Sequence, residues 1–212
     1  MNIHDVYGKI LPHFRVKRMN LFVKLLRPTD KTKILDVGGY EGCWSLLPIK
    51  PQITLLNIDT KKNEVKGRFT YVQGDGRKLP YGDKSFDIVY SNSVIEHVGT
   101  LDDQQAFAKE IARVGKSFFV QTPNKNFFIE PHYIAPFIHF LPKSVRVKLA
   151  RHFTLWGLIA KPNSAQIKEM VESISLLDKQ EMAKLFPKST ILAENFLFFP
   201  KSILAFYTGE EN

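Results

Sequence analysis

The chain has 212 residues, 44% hydrophobic and 24% charged, which fits a globular domain and excludes disordered, collagenous and coiled-coil classes. A single cysteine excludes a disulfide framework and any all-cysteine zinc or iron–sulfur site. Charge is the unusual quantity: 30 Lys and Arg against 21 Asp and Glu, a net +9, which suits nucleic acid, an anionic membrane or an acidic substrate.

The N-terminus, MNIHDVYGKI, has no basic segment followed by an apolar one, so no signal peptide is read. Val16 to Leu26 carries apolar residues at helical spacing (Met19, Phe22, Val23, Leu26), and Pro28 stops the helix. Lys33 to Val37 is a short apolar run ending in Gly38-Gly39, the pattern of a buried parallel strand opening into a tight turn. Cys43 to Leu47 is expected to begin the next helix. Further strands are expected at Ile53–Ile58, Phe69–Val72, Phe86–Tyr90 and Ser117–Gln121, with a helix from Gln104 to Val114. Strands alternating with helices imply a parallel sheet.

After the fifth strand comes an insertion over about 124–179, too long for an ordinary connection and mostly helical in pattern. Its longest apolar stretch, Tyr133 to Leu141, is broken by Pro136 and His139 and falls far short of the roughly 20 residues that span a bilayer. A soluble cytoplasmic protein is expected, with a peripheral membrane contact left open. Thr190–Phe196 and Ser202–Tyr207 then form an antiparallel hairpin, because only a short connection containing Pro200 and Lys201 separates them.

Three acidic residues, Asp36, Asp59 and Asp75, sit at or just beyond consecutive strand ends, where open parallel sheets bind ligands. Gly38, Gly39 and Gly42 allow close backbone approach. Asp59 follows Gly38 by 21 positions, a spacing suited to a ribose, and Asp75 in Gly74-Asp75-Gly76 suits an adenine amino group. One such Asp is more simply a helix cap or turn residue; three in succession describe a nucleoside across the strand ends.

Ile34-Leu35-Asp36-Val37-Gly38-Gly39-Tyr40-Glu41-Gly42 resembles the first motif of class I S-adenosylmethionine-dependent methyltransferases. Gly74-Asp75-Gly76-Arg77-Lys78-Leu79-Pro80, Ser85 to Asn92, and Val94-Ile95-Glu96-His97-Val98 resemble the signature of their type 11 (UbiE-like) branch. The resemblance implies S-adenosylmethionine as cofactor. It also implies that Asp36, Gly38, Gly39, Tyr40 and Gly42 face its methionine part, Asp59 its ribose, Asp75 and Gly76 its adenine, and Ser91 and Asn92 the methyl region. The expected fold is α/β, a Rossmann-like, seven-stranded, mostly parallel sheet with a C-terminal antiparallel hairpin and helices on both faces. One domain spans 1–212, with an N-terminal helical segment 1–28 and the 124–179 lid. Tyr40 stands where the family has glycine. It costs little if φ is negative and about 1–3 kcal/mol if φ is positive.

Methyl transfer from a sulfonium requires alignment, a proton acceptor for an OH or NH, and no metal. His97, just after the fourth strand, and His132, in Glu130-Pro131-His132-Tyr133, each fit a general base or a loop-pinning hydrogen bond. Cys43 alone excludes radical and C5-pyrimidine methylation. The loop ending Thr122-Pro123-Asn124 lacks the motif of DNA amino-methylases, and the first glycine loop lacks the dehydrogenase form.

The charge is concentrated. Residues 1–27 carry +5, and Pro131 to Lys168 carries +6 with no Asp or Glu, which leaves −2 for the rest. Val145, Leu149 and Phe153 share one face of a basic amphipathic helix, to pack on the sheet or to meet an anionic acceptor or membrane. The leading expectation is methylation of an oxygen on a small or lipid-linked acceptor. The rivals are an RNA methyltransferase docking through the lid and a non-catalytic binding module.

Overall fold

The computed structural model describes residues 3–61 and 63–209, with side chains from Phe14 onward. In chain order come α1 (Ile3–Leu26), β1 (Lys33–Val37), β2 (Gln52–Asn57), β3 (Glu64–Lys66), β4 (Phe69–Gln73), β5 (Phe86–Asn92), α2 (Leu101–Val114) and β6 (Gly115–Pro123). The insertion holds β7 (Ile129–Glu130), β8 (Ala135–Pro136), α3 (Lys143–Phe153), α4 (Leu155–Ala160) and α5 (Ser164–Ser173). Helix α6 (Lys179–Leu185), β9 (Thr190–Phe196) and β10 (Phe199–Tyr207) complete the fold.

The main sheet runs β3-β4-β2-β1-β5-β6-β10-β9. Strands β4, β2, β1, β5 and β6 are mutually parallel, whereas β10 pairs antiparallel with both β6 and β9. Ile34 lies level with Ile53 and Ile88, and Leu35 with Val89, so alternate residues feed opposite faces. On one face Ile34, Ile53 and Ile88 pack under Met19 and Phe22 of α1 and under Trp44. On the other, Leu35 and Val89 share a core with Phe107 and Ile111 of α2, Met182 of α6 and Phe186 just after it. Helices therefore cover both faces.

Two connections depart from expectation. An eighth strand, β3, adds to the seven expected ones as an antiparallel edge beside β4, joined to it through Gly67 at φ +59°. The segment between β2 and β4 is too short for a crossover helix, so a hairpin edge takes its place. The stretch expected to start a helix at Cys43 is instead a 3₁₀ turn over Glu41–Leu46, and Pro48 and Pro51 follow it closely.

The lid has its own core, built from Tyr133, Ile138, Ala150, Ile167, Val171 and Ile174. Helix α3 enters it through Ala150 and half-buried Val147, and a Cβ on Gly157 would lie 2.0 Å from the Ala150 carbonyl. The Val145–Phe153 face, for which the sequence left both packing and an outward role open, is turned outward, with Phe153 70% exposed. The small residues Ala150 and Gly157 set the close approach, not the larger apolar ones. Among the described residues no helix is long and apolar enough to cross a membrane.

Candidate active site

Strand β1 delivers Asp36 fully buried to the glycine turn. Gly38 has φ +78°, and a Cβ there would fall 2.5 Å from Val94, so no other residue suits that position. A Cβ on Gly39 would fall 1.8 Å from Asp36 Oδ2, because the carboxylate folds back beneath the turn. Trp44 Nε1–H donates to Asp36 Oδ2 at 2.8 Å, while Oδ1 has no partner among the described residues. Burial pushes Asp36 up to about 7, and the Trp44 hydrogen bond only partly offsets it. A buried carboxylate with one free oxygen suits a cationic ligand.

Tyr40 has φ −136° and ψ 160°, extended backbone open to any residue, so its replacement of glycine costs no strain. Gly42 has open space around it. A cleft of about 500 Å³ lies beside this loop, lined by Gly39, Tyr40, Leu55, Asn57 and Tyr71 among others. Cys43 is pushed up to about 12 by burial and then by the Asp36 charge, which makes its thiol a poor nucleophile.

Asp59 lies exposed in the turn after β2, its amide donating to Asn57 Oδ1 at 3.5 Å. Asp75 is gripped by Arg77, with Nη2 to Oδ2 at 2.6 Å, and these hydrogen bonds hold its carboxyl below the usual range. Arg77 also donates to Asp103 at 2.8 Å, which ties the turn to α2. A Cβ on Gly76 would strike Phe107 at 2.5 Å, so Gly76 serves packing. Ser91 is buried, with Oγ donating to the Val37 carbonyl at 3.0 Å. Asn92 Oδ1 accepts from Arg18 Nη1 at 2.5 Å, and Arg18 also makes a paired contact with Glu194 on β9 through Nε and Nη2. The side chains of Ser91 and Asn92 thus brace the strand end.

The expected histidines meet although 35 positions separate them: His97 Nε2 and His132 Nε2 are 3.1 Å apart, their rings perpendicular. His97 closes a 3₁₀ turn after β5, and His132 follows β7 in the lid. Glu130 Oε1 accepts from His132 Nδ1 at 2.6 Å, and its Oε2 accepts from the Tyr133 amide at 2.8 Å. Lost hydration alone would lower His132, but the hydrogen bond and charge of Glu130 outweigh it and the net shift is upward. His97 is pushed down to about 4, first by desolvation against the lid and then by His132. Of the two rings, His132 therefore holds a proton more tightly than His97.

Glu96 lies beneath them, fully buried, with Thr122 Oγ1 donating to Oε2 at 3.0 Å and Oε1 unpartnered among the described residues. Burial raises it to about 7. Glu96, His97 and His132 each offer a ligand atom within 4.8 Å of the others, a geometry able to hold a cation or the proton just described.

Trp44 and Arg18 escaped sequence reading. Neither lies in a motif, and their partners stand eight and 74 or more positions away. Glu130 was legible through its two-residue spacing from His132.

Comparisons with known proteins accord with this geometry. The family model described as a methyltransferase domain matches residues 37–117. No curated protein matches the chain by sequence. Among solved structures the chain is similar to the YcgJ protein from Bacillus subtilis at 16% identity, covering 86% of this chain and 71% of that one, TM-score 0.55. It is similar to the PH0226 protein from Pyrococcus horikoshii OT3 at 16% identity, covering 90% and 86%, TM-score 0.53. A SAM-dependent methyltransferase from Methanosarcina mazei matches at 11% identity, covering 84% and 92%, TM-score 0.53. At these identities the structural likenesses speak for the fold.

Proposed function

We propose that the chain, whose residues 37–117 match the model of a methyltransferase domain, is a type 11 class I S-adenosylmethionine-dependent methyltransferase that methylates an oxygen of a small or lipid-linked, anionic acceptor beneath the lid. The half-partnered Asp36 carboxylate and the close glycine backbone fit a cofactor that carries positive charge. Asp36, Gly38, Gly39, Tyr40 and Gly42 would hold its methionine end, Asp59 its ribose, and the Asp75–Gly76 turn its adenine. When bound, S-adenosylmethionine supplies a methyl group already activated by its sulfur.

What remains for the chain is to place an acceptor hydroxyl and take its proton. The His97–His132 contact carries this reading. As pH rises through the elevated pKa of His132, Nε2 releases its proton while Nδ1–H stays on Glu130. The freed lone pair then accepts the proton of an acceptor hydroxyl as its oxygen takes the methyl group. Glu130 fixes the ring and stabilises the imidazolium that forms, as a carboxylate behind a histidine does in acyl-transfer enzymes. The basic stretch 131–168, which carries no Asp or Glu, favours an anionic acceptor.

Turnover of radiolabelled S-adenosylmethionine in a cell extract, with products fractionated by class, tests this. Label in lipid or in a small-molecule ether or ester is the expected result. Label confined to RNA or protein overturns the acceptor class.

A further inference from the structure

We propose that an apolar ridge, made by the tip of the β9–β10 hairpin and the aromatic segment of the lid, docks the protein on an anionic lipid bilayer. The inference deepens the lipid-linked acceptor reading, but its geometry stands without it.

The ridge is continuous. Phe196 on β9 meets Phe127 with ring centroids 6.5 Å apart, Phe127 meets Phe128 at 4.7 Å, and Phe128 touches both Phe199 on β10 at 5.5 Å and Phe137 at 6.2 Å. These contacts make hairpin and lid one surface. Much of it faces solvent: Phe198 is 93% exposed, Leu197 75% and Phe137 60%. An exposed apolar patch rimmed by polar residues marks an interaction site.

Backbone conformation makes the case stronger than exposure does. The β3–β4 and β9–β10 hairpins both close through two-residue turns, Gly67-Arg68 and Leu197-Phe198. The first turn residue is left-handed in each, with φ +59° at Gly67 and +54° at Leu197. Such turns favour glycine or asparagine. Of these two hairpins, one places glycine at this position and the other leucine followed by phenylalanine. Phe137, at φ +59°, repeats the choice in the lid. Neither exposed side chain recovers that backbone cost through burial within the protein.

Charge selects the partner. Helix α3 begins just beyond Leu141 at the end of the aromatic segment, and its exposed residues include Lys143, Lys148 and Arg151. From residue 131 to 168 no acidic side chain offsets them. A second copy of this chain would bring like charges together, whereas an anionic bilayer supplies opposite charge and an apolar layer for Leu197, Phe198 and Phe137. No described helix spans a membrane, so attachment lies in the interface plane.

Co-sedimentation of the full chain with vesicles tests the proposal. Binding to phosphatidylcholine vesicles containing phosphatidylglycerol is expected, with little binding to phosphatidylcholine alone. Leu197→Gly with Phe198→Ser should lower vesicle affinity about tenfold or more while leaving or raising thermal stability, because glycine relieves the turn. A merely structural tip would instead lose stability. Lys148→Glu with Arg151→Glu should weaken binding and reduce its salt dependence. The proposal is overturned if the wild-type protein ignores anionic vesicles at low salt. It is equally overturned if the tip variant binds them unchanged, or if RNA competes binding away irrespective of the tip. Vesicle binding that persists without methyl transfer to any lipid would sink the acceptor reading alone.

Discussion

The sheet and the lid meet at the His97–His132 contact, yet they are held together by different means. The sheet is clamped between two apolar layers, and its ligand-facing strand ends are fixed by groups such as Trp44, Arg77 and Arg18. The lid rests on one smaller core. Under the proposed function the difference gives a firm floor for the cofactor and a separately packed cover over the acceptor.

The sharpest way to break that division is at the contact itself. His132→Ala should lower kcat by about 10²–10⁴, the usual loss for a general base, with little change in the KM for S-adenosylmethionine. Wild-type kcat should rise with pH through the elevated His132 pKa, and Glu130→Gln should move that rise to lower pH. An unchanged pH profile in Glu130→Gln would remove this pair from the mechanism.

A smaller effect is expected on the floor. Gly39→Ala pushes a Cβ into the Asp36 carboxylate, and overpacking of about 1–3 kcal/mol predicts a loss of cofactor affinity of about tenfold to a hundredfold by calorimetry. Hydrogen exchange in the lid should not change. If the lid loosens as much as the loop, the two regions are one cooperative unit.

The mildest test is proton linkage. Asp36 binds its proton more tightly folded, near 7, than unfolded, near 3.8, so the unliganded protein loses stability as pH rises through that window and levels off above it. Glu96 adds in the same direction, from 4.5 to about 7. A cationic cofactor favours ionised Asp36, so its affinity should increase between pH 6 and 8 with proton release. Asp36→Asn should flatten both curves in thermal melts and titration calorimetry.

The parallel strands were legible because buried strands read as unbroken apolar runs, and the first three of them run into glycine or aspartate. The β3 edge was not, since three residues carry no periodicity, and the 3₁₀ turn over Glu41–Leu46 imitated a helix start until Pro48 closed it. Of the site, the strand-end carboxylates were visible as spacing, and the structure shows what spacing could not: Asp36 is half-partnered, and Asp75 is already engaged by Arg77. The meeting of His97 and His132 depends on how the lid folds back, which neither local motif encodes. The apolar stripe of α3 was legible but not its direction, because amphipathic pattern does not report which stripe is covered.

The Arg18–Glu194 pair closes a span of 176 residues, and the same guanidinium holds Asn92 at the end of β5. The first helix and the penultimate strand therefore jointly set the end of a central strand. A growing chain could assemble most of the parallel sheet early, yet the buried Arg18 would have no carboxylate to neutralise it until β9 had been synthesised. Competence at the strand ends is thus acquired only once β9 has been synthesised.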